Sequence, residues 1–358
     1  MKKILLGSTA LIAAVSLSMP ASAAEKIRLG LGGKLEQYFG VVSQDDAPGF
    51  DPTTTGINTD TEVYFSGATT LDNGLTIGAM IQLEAQTNSD VTANADEQYA
   101  YIEGAFGRII AGQKDGVLTQ LAHEAPQYGL ADDDVSAFFN PANLLTNYRR
   151  GVDTTLGGQD NASVSYISPS MAGFSFGATF MPNVNGALQA NSETQLHNQW
   201  EVALAYNGEF SGFAIGADVA YIEASGANAA DAEDPWGWRA GLILGYAGFQ
   251  VGGSVLQLED AAGNAGEDSL TWNAGIGYKT GPYGVSVVYL ESDFDDPVTG
   301  DNSEYRQVSL HGSYAMGPGV TLAAAAFWAE GEQNYGAAAA GSDSVDGVGG
   351  IVGLQLSF

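Results

Sequence analysis

The sequence is dominated by segments in which apolar and polar residues alternate one by one. From residue 26 to 42 the odd positions are mostly apolar, and the even positions up to Tyr38 are polar, charged or Gly. The pattern returns in residues 75–86, after the tight turn "LDNG". A period of two is typical of a β-strand with one face in apolar surroundings. Later segments with the same pattern lie at residues 174–180, 200–206, 213–221, 236–246, 270–278, 285–289, 308–314 and 320–328.

The connections between these segments alternate between short and long. Short turns lie at 71–74, 104–107, 168–173, 207–212, 246–249, 280–284 and 316–319. Longer polar loops lie near 43–60, 88–96, 115–160, 182–196, 224–235, 259–268, 292–303 and 331–346. Seven short and eight long connections predict sixteen strands, and an even count places both chain ends on the same side. We therefore predict an all-β fold, a 16-stranded antiparallel transmembrane β-barrel, although the length alone would also allow two ordinary domains.

The stretch "GIVGLQLSF", residues 350–358, keeps the alternation up to the final residue. A strand at an open sheet edge is an aggregation liability, so this strand must pair with another. We predict that it pairs with the first strand and closes the barrel. Aromatic residues recur towards the ends of the apolar faces, which suits the interfacial girdles of a membrane barrel.

The first 23 residues have the pattern of a secretory signal. Lys2 and Lys3 precede an apolar run, and Ala21-Ser22-Ala23 is a small-residue cleavage site. We predict a signal peptide over residues 1–23 and a barrel domain over 24–358. The alternative is an uncleaved anchor, but the apolar run is too short to span comfortably. No later run of about 18 apolar residues predicts a spanning helix.

The charge balance argues strongly against nucleic acid as a partner. The chain has 42 Asp and Glu but only 12 Lys and Arg, and its net charge of -30 would repel phosphate groups. The absence of cysteine excludes disulfides, thiol nucleophiles and thiolate metal sites. Most of the acids lie in or beside the long loops, which would make one rim strongly anionic. Acidic loops that only keep the protein soluble are the alternative.

The connection at residues 115–160 is much longer than the others. Such long connections are uncommon and usually functional, and a barrel of sixteen strands encloses an aqueous channel. We predict that this connection folds inward, so that its acids face basic residues of the wall and create a transverse field. Alternatively "DDD" is a solvated turn and "RR" pairs with rim acids. The predicted pore-lining residues are Arg28, Lys34, Glu36, Glu84, Lys114, Glu124, Asp132, Asp133, Asp134, Arg149 and Arg150.

Two stretches, "AYIEGAFGRIIAGQKDG" (100–116) and "DNASVSYISPSMAGFSFGATF" (160–180), resemble the general diffusion porins of Gram-negative bacteria, especially the alphaproteobacterial kind. The resemblance implies a trimeric outer-membrane barrel whose third long loop forms the constriction. It also implies that Leu354, Leu356 and Phe358 form the signal read by the assembly machinery. Such porins often have Arg where this chain has Gln113 followed by Lys114, so the basic wall is weaker or shifted by one residue.

The predicted function is a passive, water-filled channel for small hydrophilic solutes and ions, with a preference for cations and no cofactor. The expected partners are outer-membrane lipid, lipopolysaccharide and two further copies of the chain. One alternative is a solute-specific channel, but Tyr38, Tyr64, Tyr99 and Tyr101 form no convincing aromatic path. The acidic stretch 291–304 could hold calcium weakly, although it lacks the EF-hand pattern.

The other alternative is a barrel hydrolase. The stretch "GFSFG", residues 173–177, matches the G-x-S-x-G pattern but lies in an alternating strand rather than at a strand-to-helix turn. His123, His197 and His311 have no metal-ligand spacing and are interpreted as loop or strand-end residues.

Overall fold

A computed structural model of the chain describes residues 26–46, 51–85, 95–141, 145, 149, 151–152, 156, 160–184, 196–226, 233–261, 267–296, 300–335 and 341–358, without the side chains of 132, 133, 296, 341 and 342. The predicted signal peptide and Arg150 lie outside the described residues. The first eight strands are β1 (Gly30–Gln44), β2 (Thr55–Thr70), β3 (Thr76–Glu84), β4 (Ala95–Gly104), β5 (Gly107–Gln113), β6 (Ala162–Ile167), β7 (Phe174–Asn183) and β8 (His197–Phe210). The other eight are β9 (Phe213–Ser225), β10 (Trp236–Tyr246), β11 (Phe249–Glu259), β12 (Ser269–Thr280), β13 (Tyr283–Asp296), β14 (Asp301–Gly317), β15 (Val320–Tyr335) and β16 (Gly341–Ser357).

The sixteen strands form one closed antiparallel barrel, in which each strand pairs with its neighbours in the chain. The seam joins β1 to β16, with Lys34 opposite Ser357 and Gln44 opposite Gly347. Gly33 N–H donates to the Phe358 carbonyl at 2.9 Å, and Phe358 N–H donates to the Gly33 carbonyl at 3.1 Å. The predicted strand number and closure are therefore confirmed.

The short turns have the chemistry that tight hairpins require. Ser211 and Gly212 both have positive φ, 51° and 85°, and so do Ala247 and Gly248, at 50° and 90°. Two consecutive residues of positive φ give a turn whose twist matches that of the flanking strands. Since sequential strands are antiparallel neighbours, the strand ends that these turns do not join lie at the opposite end of the barrel.

The strands at the long-loop end are longer than the apolar alternation predicts. β2 begins at Thr55, β13 ends at Asp296 and β15 ends at Tyr335, all inside stretches predicted to be loops. Backbone pairing continues there although both faces of the sheet are polar. The alternation marks only the part of each strand that lies against hydrocarbon, because only lipid requires one face to be apolar.

The outer wall is apolar, and aromatic pairs lie side by side on neighbouring strands. The ring centroids of Phe213 and Tyr246 are 4.5 Å apart, and those of Tyr283 and Tyr314 are 4.9 Å apart. The Tyr side chains of these pairs suit a membrane interface, because each combines an apolar ring with a polar hydroxyl group.

The inner wall is apolar over two patches where sequence periodicity predicted a polar face. Ile222, Leu256 and Leu258 are buried in one patch, and Leu290 and Phe327 in the other. These patches are covered from inside the barrel by apolar residues of the long connection between β5 and β6. That connection contains two short helices, α1 (Val117–Gln120) and α2 (Asp132–Ser136). No helix in the described part of the chain is long and apolar enough to cross a membrane.

Candidate pore constriction

Residues 115–160 are here called the constriction segment, and their described part runs across the inside of the barrel. The first limb, residues 115–129, donates backbone N–H bonds to strands β7, β8, β9, β12 and β13: Val117 to Thr179 at 3.0 Å, Leu118 to Glu201 at 3.0 Å, His123 to Asp218 at 2.6 Å, Ala125 to Asn273 at 3.3 Å and Tyr128 to Ser286 at 3.1 Å. Gln355 then donates to the Gly129 carbonyl at 2.9 Å. The predicted inward fold of this connection is therefore confirmed.

The returning limb also bonds to the wall. Asn140 and Gln44 of β1 exchange two hydrogen bonds, of 2.8 and 3.0 Å. Arg149 N–H donates to Ser292 at 3.2 Å, and its Nε donates to Ser269 at 3.3 Å. The segment is thus bonded to the strands from β7 around to the Gln44 end of β1. The wall formed by β2 to β5, together with the Lys34 end of β1, faces these bonded strands across the lumen.

Glycines of the wall allow the constriction segment to lie close to the sheet. A Cβ placed on Gly241 of β10 would lie 2.0 Å from the His123 carbonyl oxygen. One placed on Gly252 of β11 would lie 3.1 Å from the Glu124 carbonyl oxygen. Any side chain at the first position would overlap the segment, so part of the high glycine content serves this contact.

A buried charged cluster holds the start of the segment. The Arg239 side chain on β10 is 0% exposed and pairs with Asp218 of β9. Its Nη2 donates to the His123 carbonyl at 2.9 Å and to Glu124 Oε1 at 3.2 Å, and its Nε donates to the Val152 carbonyl at 3.0 Å. A buried arginine needs such partners, because an uncompensated buried charge is very costly.

His123 completes this cluster. Its Nδ1 lies 3.2 Å from Asp218 Oδ1, and its Nε2 lies 2.9 Å from Asn207 Oδ1. Burial alone would lower the pKa of His123, but the hydrogen bonds to Asp218 and Asn207 outweigh burial and raise it above the ordinary value. Protonated His123 therefore holds the segment against the wall more firmly than neutral His123 does.

We expect the segment to loosen as the pH rises. The contribution of a group with a raised pKa is complete below its ordinary value, about 6.5 for His, and is lost as the pH rises through the higher folded-state pKa. Open-channel current noise, recorded across this range in a planar bilayer, should increase with pH. His123→Gln, which does not titrate, should give a flat profile, whereas His197→Gln should keep the pH dependence. A pH dependence unchanged in His123→Gln would contradict this assignment.

The facing wall is rich in carboxylates. Lys34 Nζ lies 2.6 Å from Asp60 and 2.9 Å from Glu62, and Glu84 lies beside them in the register of β2 and β3. Asp60, Glu62 and Glu84 offer oxygens that all lie within 4.8 Å of one another. On β1, the same strand as Lys34, Glu36 accepts a hydrogen bond of 2.9 Å from the Tyr38 hydroxyl group.

A second carboxylate group lies where the segment leaves β5. Lys114 pairs with Glu97, and Asp115 and Asp160 lie beside that pair. Burial, together with the nearby charges of Asp115, Asp96 and Glu97, raises the pKa of Asp160 to about 8. The described cations of the facing wall, Lys34, Lys114 and Arg108, are thus each held by carboxylates of that wall, and Arg108 pairs with Glu103 of β4.

The other predicted residues have different positions. Arg28 is exposed and precedes β1 at the short-turn end, away from the segment. Glu124 lies next to Arg239, which sequence reasoning had not selected. Asp134 accepts a hydrogen bond of 3.3 Å from Ala131 N–H within the segment. Asp132 and Asp133 lie in α2, and their side chains are outside the described residues.

Comparison with known proteins agrees with this architecture. A model of the Gram-negative porin family matches residues 7–334. The chain belongs to this family. Because the family consists of outer-membrane diffusion channels, this porin is a channel of the bacterial outer membrane and not an enzyme. The alphaproteobacterial subtype stays a prediction. A search of curated protein sequences found no match.

Solved structures share the fold of this porin at low sequence identity. OmpT of Vibrio cholerae in its trimer form has a TM-score of 0.64 at 11% identity, over 93% of this chain and 100% of that one. OmpF of Salmonella typhi has a TM-score of 0.63 at 15% identity, over 92% and 97%. The anion-selective porin of Comamonas acidovorans has a TM-score of 0.61 at 15% identity, over 93% and 100%.

The hydrolase alternative has no structural basis in the described residues. Ser175 of "GFSFG" lies in β7, a regular strand paired with β8, rather than at a strand-to-helix turn. His123 contacts Asp218 but bonds to Asn207 on its other nitrogen, with no serine in the arrangement.

Proposed function

We propose that this porin is a passive diffusion channel that prefers cations. The observation that supports the preference is the charge of the wall facing the constriction segment. Asp60 and Glu62 pair with one cation, Lys34, and Glu84 lies beside them, so the formal charge of the group is -3 + 1 = -2. A narrow aqueous gap lined by one sign of charge concentrates counter-ions.

This mechanism differs from the transverse field predicted from the sequence. That field required loop acids opposite unpaired wall cations. Lys34 and Lys114 instead pair with acids of their own wall, and Arg239 lies beneath the segment. The selectivity we propose therefore comes from the net negative charge of the facing wall, with the acids of α2 adding to it.

Reversal potentials in a planar bilayer under a salt gradient test the proposal. The variant Asp60→Asn/Glu62→Gln/Glu84→Gln changes the charge of the group from -2 to +1, so the cation preference should fall strongly or reverse. The variant with Asp132, Asp133 and Asp134 changed to Asn should lower the preference less. Glu304→Gln and Glu330→Gln, which lie on the outer face with Arg306, serve as controls. An unchanged reversal potential in the wall variant would refute the proposed selectivity.

A trimeric assembly is part of this proposal, and the aromatic belt supports it. Every outward-facing Tyr or Trp among the described residues lies between β6 and β15. On β1, β2 and β4 the tyrosines point inward, and the outward face instead carries polar pairs such as Gln37 with Thr59 and Gln98 with Gln113. A wall that faced lipid would carry the interfacial aromatics all round. Channel openings in groups of three would support contact between copies through this face.

A solute-specific channel receives less support. The inward tyrosines are already engaged, since Tyr64 donates to Glu62 and the Arg108 guanidinium lies 4.4 Å from the Tyr101 ring centroid. Stacking of sugars needs open ring faces, which an overlying guanidinium blocks. Currents unaffected by added sugars would support the general channel.

Further parts of the proposal concern export and the membrane. We propose that residues 1–23 are removed on export and that Leu354, Leu356 and Phe358 direct assembly. We also propose contact with lipopolysaccharide at the outer rim, where Glu291, Glu304 and Arg306 face outward. Weak calcium binding is proposed at the same rim, where Glu291, Asp293 and Glu304 offer oxygens within 4.8 Å of one another.

A further inference from the structure

We infer that Arg239 is the positioning residue that sets the constriction, because it ties both limbs of the segment to one point of the wall. This inference rests on the proposed channel function and concerns how the narrow part of the channel is kept in place. Arg239 itself does not line the pore, since its side chain is 0% exposed.

The contacts of Arg239 distinguish it from the other wall residues that bond the segment. Thr179, Glu201 and Ser286 each bond one limb only. Arg239 instead reaches the first limb through the His123 carbonyl at 2.9 Å and the returning limb through the Val152 carbonyl at 3.0 Å. Its remaining donors go to Asp218 and to Glu124.

The planar guanidinium can make these bonds together because its five N–H donors point in fixed directions. Asp218 fixes the guanidinium in turn and also accepts the His123 N–H at 2.6 Å. Lysine has a single nitrogen at the end of a flexible chain, so it could keep the charge pair with Asp218 but not bridge both limbs. Loss of the bridge should let the two limbs separate while the sixteen-stranded wall, held by its own ladders, stays closed.

Single-channel recording and liposome swelling with sugars of increasing size test the inference. Arg239→Met should raise current noise severalfold and admit sugars that the unmodified porin excludes. Arg239→Lys should raise the current noise and the size limit less than Arg239→Met does. If Arg239→Met does not assemble, Arg239→Lys becomes the variant that tests the inference. Arg306→Met removes an arginine of the outer face and should leave both noise and size limit unchanged.

A reversible tether separates positioning from a merely structural role. A Cβ on Gly275 would lie 3.1 Å from Ala125 Cβ and 2.8 Å from the Val287 carbonyl oxygen, so the backbone must shift by a few tenths of an ångström to give the spacing of about 3.5–4.5 Å that a disulfide requires. Since the chain has no cysteine, Ala125→Cys/Gly275→Cys gives one defined bond. Added to Arg239→Met or Arg239→Lys, the oxidised pair fixes the first limb only, so it should restore the current noise and the size limit in part. Reduction should abolish this partial rescue.

The possible failures are distinguishable. Absence of ion-conducting pores in the unmodified porin would overturn the proposed function itself. The positioning role alone would be overturned if Arg239→Met has the same current noise and size limit as the unmodified porin. If only Arg239→Lys assembles, the same comparison applies to that variant. Failure of the oxidised tether to restore the assembled variant would overturn it as well.

Discussion

Deletion of residues 341–358 should prevent formation of a closed barrel in lipid. The deletion removes β16, so β1 loses its partners along Lys34 to Gln44 and β15 loses its partner as well. Each unpaired backbone group in hydrocarbon costs several kcal/mol, and no water is available to satisfy it. The truncated chain should therefore stay unfolded or aggregate when it is diluted into lipid vesicles. A compact, protease-resistant species on gel electrophoresis without boiling would contradict this expectation.

Phe358→Ala should separate closure from recognition at the same seam. The bonds between Gly33 and Phe358 are made by backbone atoms and survive the change. The variant should consequently fold in vesicles but lose most of its assembled fraction in cells, if Phe358 belongs to the assembly signal. Phe210 is a matched control, since it is 72% exposed compared with 69% for Phe358 and lies in a turn hairpin. Equal assembly of both variants in cells would remove Phe358 from the signal.

Most of the barrel could be predicted from the sequence, because each strand repeats the same requirement. One face must meet hydrocarbon and the other must not, so the period of two is visible in segment after segment. The alternation of short and long connections then gave the strand number and the seam. The length of 115–160 indicated an inward fold, because a long connection has few other places in a compact unit.

The attachment of the segment was harder to predict, because it depends on which residues of neighbouring strands lie side by side. Asp218 and Arg239 are separated in the chain and meet only through the register of β9 and β10. One signal was present: Arg239 is the single charge of β10, and Asp218 is the single charge on the inward face of β9, whose other charge, Glu223, lies on the opposite face. His123 looked like an ordinary loop residue, since nothing in the sequence shows that it faces Asp218 and Asn207.

The apolar patches of the inner wall were missed for a related reason. Periodicity assumes that the inside of a wide barrel is wet. Ile222 and Leu256 break that assumption because they belong to one buried apolar cluster with Val117 and Leu118 of the segment. A prediction that first placed the segment would have required an apolar inner surface beneath it. Gly241 was missed for the same reason, because nothing in β10 itself requires glycine there and the requirement comes from the segment that lies against it.

Gly241→Ala should displace the constriction segment or destabilise the barrel. The new Cβ would lie 2.0 Å from the His123 carbonyl oxygen and 2.5 Å from Asp218 Oδ1, and both oxygens are fixed by the buried cluster. Overpacking of this kind costs about 1–3 kcal/mol. We expect a lower midpoint of thermal unfolding in detergent and noisier currents than in the unmodified porin.

Two further glycines make this a graded test. Gly216→Ala would meet the His123 ring at 2.5 Å, and a side chain can shift more easily than a backbone carbonyl, so its effect should be smaller. Gly312→Ala meets no heavy atom within 4 Å, and Ala restricts the unfolded chain more than Gly does, so this variant should be neutral or slightly more stable. Equal stability of all three variants would show that the segment does not press on the wall at Gly241. The expected result is that Gly241→Ala lowers the stability most, Gly216→Ala less and Gly312→Ala least. That order would show that these glycines are required by the contact with the constriction segment and not by the strands that contain them.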